Sequence, residues 1–120
     1  MDTNLVLRDG TTHLTDDENL TSVKIGPMVK PLWLHVLVPE VSSADTLDVE
    51  LEFCATGATT TEIYNMNMKQ ITAAGHFAIP FYTLLEYLYV KLNCSHNGDD
   101  FGHTKVWIDA ANRYDGPYNT

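Results

Sequence analysis

The chain has 120 residues, 44% of them hydrophobic, and its 16 acidic and 7 basic side chains give a formal net charge of −9. This length suits one domain with a core of its own, and the composition argues against wholesale disorder. The basic residues are scattered singly, without the stripe that neutralises phosphates, so we predict no nucleic-acid partner. No secretory signal pattern opens the sequence, and its best apolar stretch, residues 32–38, is too short to cross a bilayer, so we predict no membrane partner.

About eight short strands, separated by Pro, Gly and Asn-Gly turn signals, are predicted in chain order. They are residues 5–8, 22–25, 32–38, 46–54, 62–66, 76–79, 87–93 and 104–109. No window of helical length carries a 3.6-residue apolar stripe with caps. The pattern therefore predicts an all-β protein, an antiparallel sandwich or barrel.

The strand at residues 46–54 (TLDVELEFC) alternates between apolar and acidic side chains. Asp48, Glu50 and Glu52 share one face, where they could form a catalytic pair, a metal site or an ordinary solvated surface. Side chains two positions apart on a strand are roughly 6.6–6.8 Å apart, a separation that overlaps that of carboxylate pairs in glycoside hydrolysis. An even acidic row opposite an apolar row is typical of a half-solvated strand, so the solvated surface is favoured.

The two cysteines are predicted to remain reduced. Counted along its strand, Cys94 falls on the inward side, whereas Cys54 follows the carboxylates outward. Side chains on opposed faces do not bring their sulfurs to bonding distance, which argues against a disulfide.

Several aromatic residues fall on strand faces that should point outward. Trp33, together with Leu37, flanks His35 on the non-aliphatic parity of its strand. Tyr87 and Tyr89 oppose an aliphatic row, and Trp107 shares parity with a charged pair. Exposed Trp and Tyr are common anchors of protein–protein contacts. A strand that is apolar on both parities is either covered on both sides or faces a neighbouring subunit, so the pattern is a first indication of assembly.

Metal and catalytic motifs are weak. The loop CSHNGDDFGH could surround a divalent cation with His96, Asp99, Asp100 and His103, but a polar loop around a hairpin turn is favoured. Two strand histidines, His35 and His76, are not accompanied by a pair of histidines at close alternation in the sequence, and they lack the Gly-rich flanks of a cupin-type metal enzyme. The sequence has no nucleophile elbow, zinc-protease, P-loop or CxxC motif. We therefore predict neither enzymatic activity nor a cofactor.

The two ends of the chain differ from the middle. Residues 9–21 are polar and include Asp16 and Asp17, and residues 110–120 carry tyrosines without a strand pattern. From the residues alone, both ends are either frayed or ordered by a partner, with fraying slightly favoured.

The strand order and spacing of the chain resemble those of small jelly-roll cement, or decoration, proteins of tailed-phage capsids, of the type found on short-tailed Bordetella phages. The resemblance rests on LVLRDGTTHLTDDENLTS, VKIGP, PLWLHVLVPEVSSADTLDVELEFC, HFAIP, EYLYVKLN and HTKVWID in this order. One departure is that the family pattern has basic residues around the Tyr-Leu strand, where this chain has Glu86, Tyr89 and a single Lys91.

The resemblance implies a jelly-roll sandwich over residues 1–109, with a C-terminal extension at 110–120. It also implies a homotrimer, made in the host cytoplasm, that sits on the outer capsid surface and ties major capsid protein subunits together. Both polar ends then become arms that are ordered on binding. The residues expected to contact the capsid or another subunit are Arg8, Asp16, Asp17, Trp33, Tyr87, Tyr89, Trp107, Arg113, Tyr114 and Tyr118.

Two other functions compete with this expectation. The first is a carbohydrate-binding or host-attachment module, in which Trp33 and Trp107 stack on sugar rings and Asp109 or Asn112 bonds hydroxyls. The second, and least favoured, is a small cupin-like metalloenzyme.

Overall fold

The computed structural model describes residues 5–26, 28, 30–42, 44–58, 62–96 and 98–109. These residues form nine strands and no helix. The strands are β1 (Leu5–Arg8), β2 (Glu18–Asn19), β3 (Val23–Lys24), β4 (Leu32–Val38), β5 (Leu47–Cys54), β6 (Glu62–Asn67), β7 (Gly75–Phe81), β8 (Tyr87–Cys94) and β9 (Lys105–Asp109).

The strands pair in a nested order within two sheets. One sheet, named sheet A, has the order β1-β9-β4-β7, and the other, sheet B, has the order β2-β8-β5-β6, with β3 also on β8. The first strand pairs with the last, the second and third with the eighth, the fourth with the seventh and the fifth with the sixth, all antiparallel. Because successive pairs alternate between the sheets, this is the strand order of a jelly roll. The predicted all-β, jelly-roll-like sandwich is confirmed.

Alternation along the strands decides which side chains enter the core between the sheets. From sheet A, β4 contributes a buried row of aliphatic side chains at every second position. From sheet B, β5 contributes the apolar row that was predicted to face inward, and β8 contributes a second aliphatic row. The buried side chains of these three rows are Leu34, Val36, Val38, Leu47, Val49, Leu51, Phe53, Leu88, Val90 and Leu92.

The polar N-terminal segment packs on the sandwich and is not a free arm, so that part of the expectation is wrong. Leu14 is fully buried, and its backbone N–H donates to Gly102 O at 2.8 Å while its carbonyl accepts from Phe101 N at 2.9 Å. Leu20 is also buried and donates its N–H to Val90 O at 2.9 Å. These two apolar residues, isolated among polar neighbours, anchor the segment to the sandwich.

A partly buried ion pair joins the two sheets at one edge of the sandwich. Arg8 at the end of β1 contacts both carboxylate oxygens of Glu18 in β2, at 2.9 and 3.1 Å. The guanidinium also donates to Thr104 O at 2.6 Å and to Thr12 O at 3.0 Å. Because the Arg8 side chain is 6% exposed, it has little surface left for a capsid contact, and its expected role there is corrected to a structural one.

The C-terminal extension predicted at residues 110–120, with Arg113, Tyr114 and Tyr118, lies outside the described residues.

Candidate functional site

The outer face of sheet A brings together aromatic and aliphatic side chains from four strands. The register pairs Trp33 with Asp109 and Pro80, and His35 with Trp107 and Ala78. Cross-strand partners project from the same side of a sheet, so these residues form one surface, turned away from the core. The residues that the pairing places on this surface, named the A face, are Val6, Trp33, His35, Leu37, His76, Ala78, Pro80, Lys105, Trp107 and Asp109.

The A face is mostly apolar, although it does not face the core. Val6 is 47% exposed and Leu37 is 39% exposed, and both tryptophans are half-buried. Among its described residues, Lys105 and Asp109 are the charged ones, and Asp109 is buried. A contiguous apolar surface on a chain with net charge −9 is typical of a binding site.

The centre of the A face is a stack of rings. His35 is 1% exposed, and its ring lies parallel to that of Trp107, with 4.9 Å between the centroids and 4° between the planes. The ring of His76 is tilted against both, at 5.2 Å from His35 and 5.1 Å from Trp107. Lys105 places its ammonium 5.6 Å from the Trp107 ring centroid, within reach of a cation–π interaction. This packing holds the side chain of Trp107 in a fixed orientation.

The outer face of sheet B has a different chemistry. The register places Asp48, Glu50 and Glu52 beside Asn93, Lys91 and Tyr89 of β8. Tyr87 and Tyr89 are half-buried on this face, as expected from their parity, and they lie on the opposite side of the molecule from Trp33 and Trp107. The aromatic residues predicted to make contacts are therefore divided between two faces.

The acidic row of β5 is only partly solvated, which corrects the expectation of an open wet surface. Asp48 is exposed, but Glu52 is 4% exposed and pairs with Lys91 Nζ at 3.1 Å. The hydrogen bond to Glu52 raises the pKa of Lys91, and burial, followed by the charge of Glu52, raises the pKa of Glu50. Carboxylate oxygens of Glu50, Glu52 and Glu62 lie within 4.8 Å of one another. The ion pair with Lys91 thus neutralises Glu52, the most buried carboxylate of the row.

Cys54 lies on the side of the sheet that its parity predicted, but it is not exposed to solvent. It faces the same side as the carboxylates and is 1% exposed, because this end of the outer face is covered. Cys54 and Cys94 are both free thiols. Burial raises the pKa of Cys94 to about 12, with the charge of Asp17 adding to the effect, and burial also raises the pKa of Cys54. A thiol with a raised pKa is a poor nucleophile at neutral pH.

The four loop residues considered for a cation separate into two groups. His96 and Asp99 lie near Asp45, with ligand atoms within 4.8 Å of one another, whereas Asp100 contacts His13 at 3.0 Å. Asp99 accepts hydrogen bonds from Ser95 Oγ at 2.6 Å and from His96 N at 2.8 Å. Burial raises the pKa of Asp99, but these hydrogen bonds outweigh it and hold the pKa below its ordinary value. The Asp99 carboxylate therefore stabilises the turn that follows β8 through these hydrogen bonds.

His103 belongs with the second of these groups. Its ring packs edge-on against that of His13, with the centroids 4.4 Å apart, and its Nδ1 lies 2.9 Å from Gly10 O. This cluster joins the N-terminal segment to the loop before β9.

The two N-terminal aspartates expected at a contact surface are exposed and lie beside the end of β8. Asp17 accepts a hydrogen bond from Cys94 N at 2.7 Å, and Asp16 accepts one from Asp17 N at 2.7 Å. They are therefore accessible, as a contact surface requires, but they lie away from the A face.

Sequence reasoning missed the contributions of Val6 and His76 to the A face. It did place Leu37 with Trp33 and His35 on the non-aliphatic parity of β4, and the register confirms that placement.

No family model, curated protein or solved structure matches this chain. Within the described part of the chain, no helix is long and apolar enough to cross a membrane.

Proposed function

We propose that this protein is a structural virion component that binds the outside of a phage capsid as a trimer and stabilises contacts between major capsid protein subunits. The observation that carries the proposal is the A face, an apolar and aromatic surface on the outside of a rigid jelly roll. Burying such a surface against another protein removes Val6 and Leu37 from water, which favours association. The resemblance in strand order to phage cement proteins supplies the identity of the partner.

The mechanism follows from multivalency and linkage. A trimer presents three copies of the A face, so the second and third contacts form at a high effective concentration. A protein that binds only the assembled, expanded shell stabilises that state by mass action. Neither step requires the protein to perform chemistry.

The proposal is tested with purified chain and expanded capsids that lack it. Light scattering should give three times the 13.4 kDa mass of the chain, and the protein should sediment with expanded capsids but not with unexpanded ones. The double variant Val6→Ser/Leu37→Ser should lose attachment. The matched control is Leu84→Ser, which alters a side chain that is 71% exposed in the loop between β7 and β8. Attachment that depends on Leu84 and not on the A face would contradict the assignment of the surface.

The C-terminal extension is tested in the same assay. The chain cut after residue 109 should keep its fold and attach more weakly, because the extension carries Arg113, Tyr114 and Tyr118. Undiminished occupancy of capsids by the shortened chain would remove the extension from the proposal.

A carbohydrate-binding module is the second candidate, and the shared position of Trp33 and Trp107 on the A face favours it. Aromatic rings that share one surface suit contact with the apolar faces of sugars. Retention on a polysaccharide column that is lost in Trp107→Ala, together with no sedimentation with capsids, would favour this function over the first.

A further inference from the structure

The A face contains two imidazoles in direct contact. His35 Nδ1 lies 3.0 Å from His76 Nε2, which is hydrogen-bonding distance. A neutral imidazole has one N–H donor and one acceptor nitrogen, whereas its protonated form has two donors. The contact therefore needs one proton between the two nitrogens, with one ring donating and the other accepting.

The number of protons on the two imidazoles determines whether this hydrogen bond can form. When one ring is protonated, it can still donate to the lone pair of its neutral partner. When both rings are protonated, two N–H groups face each other and two positive charges lie in adjacent rings. The pair keeps its hydrogen bond through the first protonation and loses it at the second.

The surroundings oppose the second proton. His35 is 1% exposed, and a charged imidazole there would lose most of its hydration. Burial lowers the pKa of His76. The charged groups that face the pair from β9 are Lys105, whose positive charge opposes protonation, and Asp109, whose negative charge favours it. The described residues of β1, β4 and β7 on this face add no other charge.

We propose that His35 and His76 form an acid-sensitive latch on the A face. Near neutral pH, the shared hydrogen bond holds the rings of His76 and Trp107 against His35. Uptake of the second proton separates the imidazoles, loosens the stack on Trp107 and opens the centre of the face to water. This inference stands on the fold and does not depend on the capsid proposal.

The direction of the pH effect follows from linkage. Because the pKa of His76 is lower in the folded chain than in the unfolded one, the closed latch is fully stable above the ordinary histidine value of about 6.5. Its stability is lost as the pH falls through the lower, folded value.

The test follows the rings of the full chain from about pH 8 down to about pH 4, because the second proton is expected to bind below the ordinary histidine value of about 6.5. Side-chain NMR should show His35 and His76 titrating together in two steps, as coupled groups do. In a Trp33→Phe background, Trp107 is the remaining tryptophan, and acrylamide quenching of its emission should rise with the second step. Far-UV circular dichroism should stay unchanged over the same range.

Two variants make the outcome decisive. His76→Gln cannot titrate, so the pH response of Trp107 should disappear, whereas the matched control His13→Gln, in the cluster before β9, should retain it. A Trp107 response that persists in His76→Gln would overturn the proposal. Independent titration of the two histidines, or global unfolding at the same pH, would overturn it as well.

Discussion

Replacing Arg8 with alanine removes the ion pair that joins β1 to β2 across the edge of the sandwich. The lost contacts are two hydrogen bonds to Glu18, those to the carbonyls of Thr12 and Thr104, and a longer one to the Thr12 hydroxyl. Since the Glu18 side chain is 35% exposed, water replaces the guanidinium there, and the loss falls mainly on the hydrogen bonds that Arg8 donates. Hydrogen bonds to a charged group are worth about 1.5–3 kcal/mol each, and we expect a loss of about 3 kcal/mol.

This loss is measured by equilibrium urea unfolding and by thermal melting. For a chain of this length, about 3 kcal/mol corresponds to a fall in melting temperature of roughly 10 °C. The matched control is Lys24→Ala, which removes a surface pair with Glu86 at 3.5 Å, with the two side chains 63% and 48% exposed. That variant should change stability by less than about 1 kcal/mol.

The comparison of Arg8→Ala with Lys24→Ala shows whether Arg8 stabilises the fold or is dispensable for it. If Arg8→Ala unfolds at the same urea concentration as Lys24→Ala, the guanidinium does not join the sheets and the reasoning fails. A changed slope of free energy against urea would instead indicate an altered unfolded state, so the slope is compared as well.

Two further changes test other parts of the structure. Leu14→Ala should lower the free energy of unfolding by about 2–5 kcal/mol, as the truncation of a buried leucine does. The control Leu84→Ala should change the free energy of unfolding by less than about 0.5 kcal/mol. An unchanged urea midpoint for Leu14→Ala would restore the free-arm interpretation of residues 9–21. Glu50→Gln should raise the urea midpoint at about pH 7 and not at about pH 4, because a carboxyl with a raised pKa destabilises the fold only when it is ionised. A larger gain at the lower pH would contradict this direction.

The strands could be predicted because their signals are local. Residues 32–38 were predicted with the bounds that β4 has, since Pro31 and Pro39 flank a predominantly apolar run. β2 was missed because Glu18 and Asn19 have no apolar alternation and are held in place by pairing with β8. A two-residue strand of this kind is set by its partner, which lies far away in sequence.

The site was harder to predict because alternation gives the face of a side chain but not what covers it. The parity of Glu52 and Cys54 was correct, yet both are buried, so neighbouring side chains decide their exposure. The contact of His35 with His76 depends on the register of β4 against β7, across 41 positions of sequence. Register over such a distance is set by the whole sheet.

The nested pairing of the strands also bears on how the chain folds during synthesis. β5 and β6 are neighbours in sequence and can pair early, but β1 has to wait for β9, at residues 105–109, to leave the ribosome. Contacts between distant segments slow folding, because a long loop must close before they form. The ordering step that completes sheet A, and with it the stack of His35 on Trp107, is therefore expected to follow the pairing of β5 with β6.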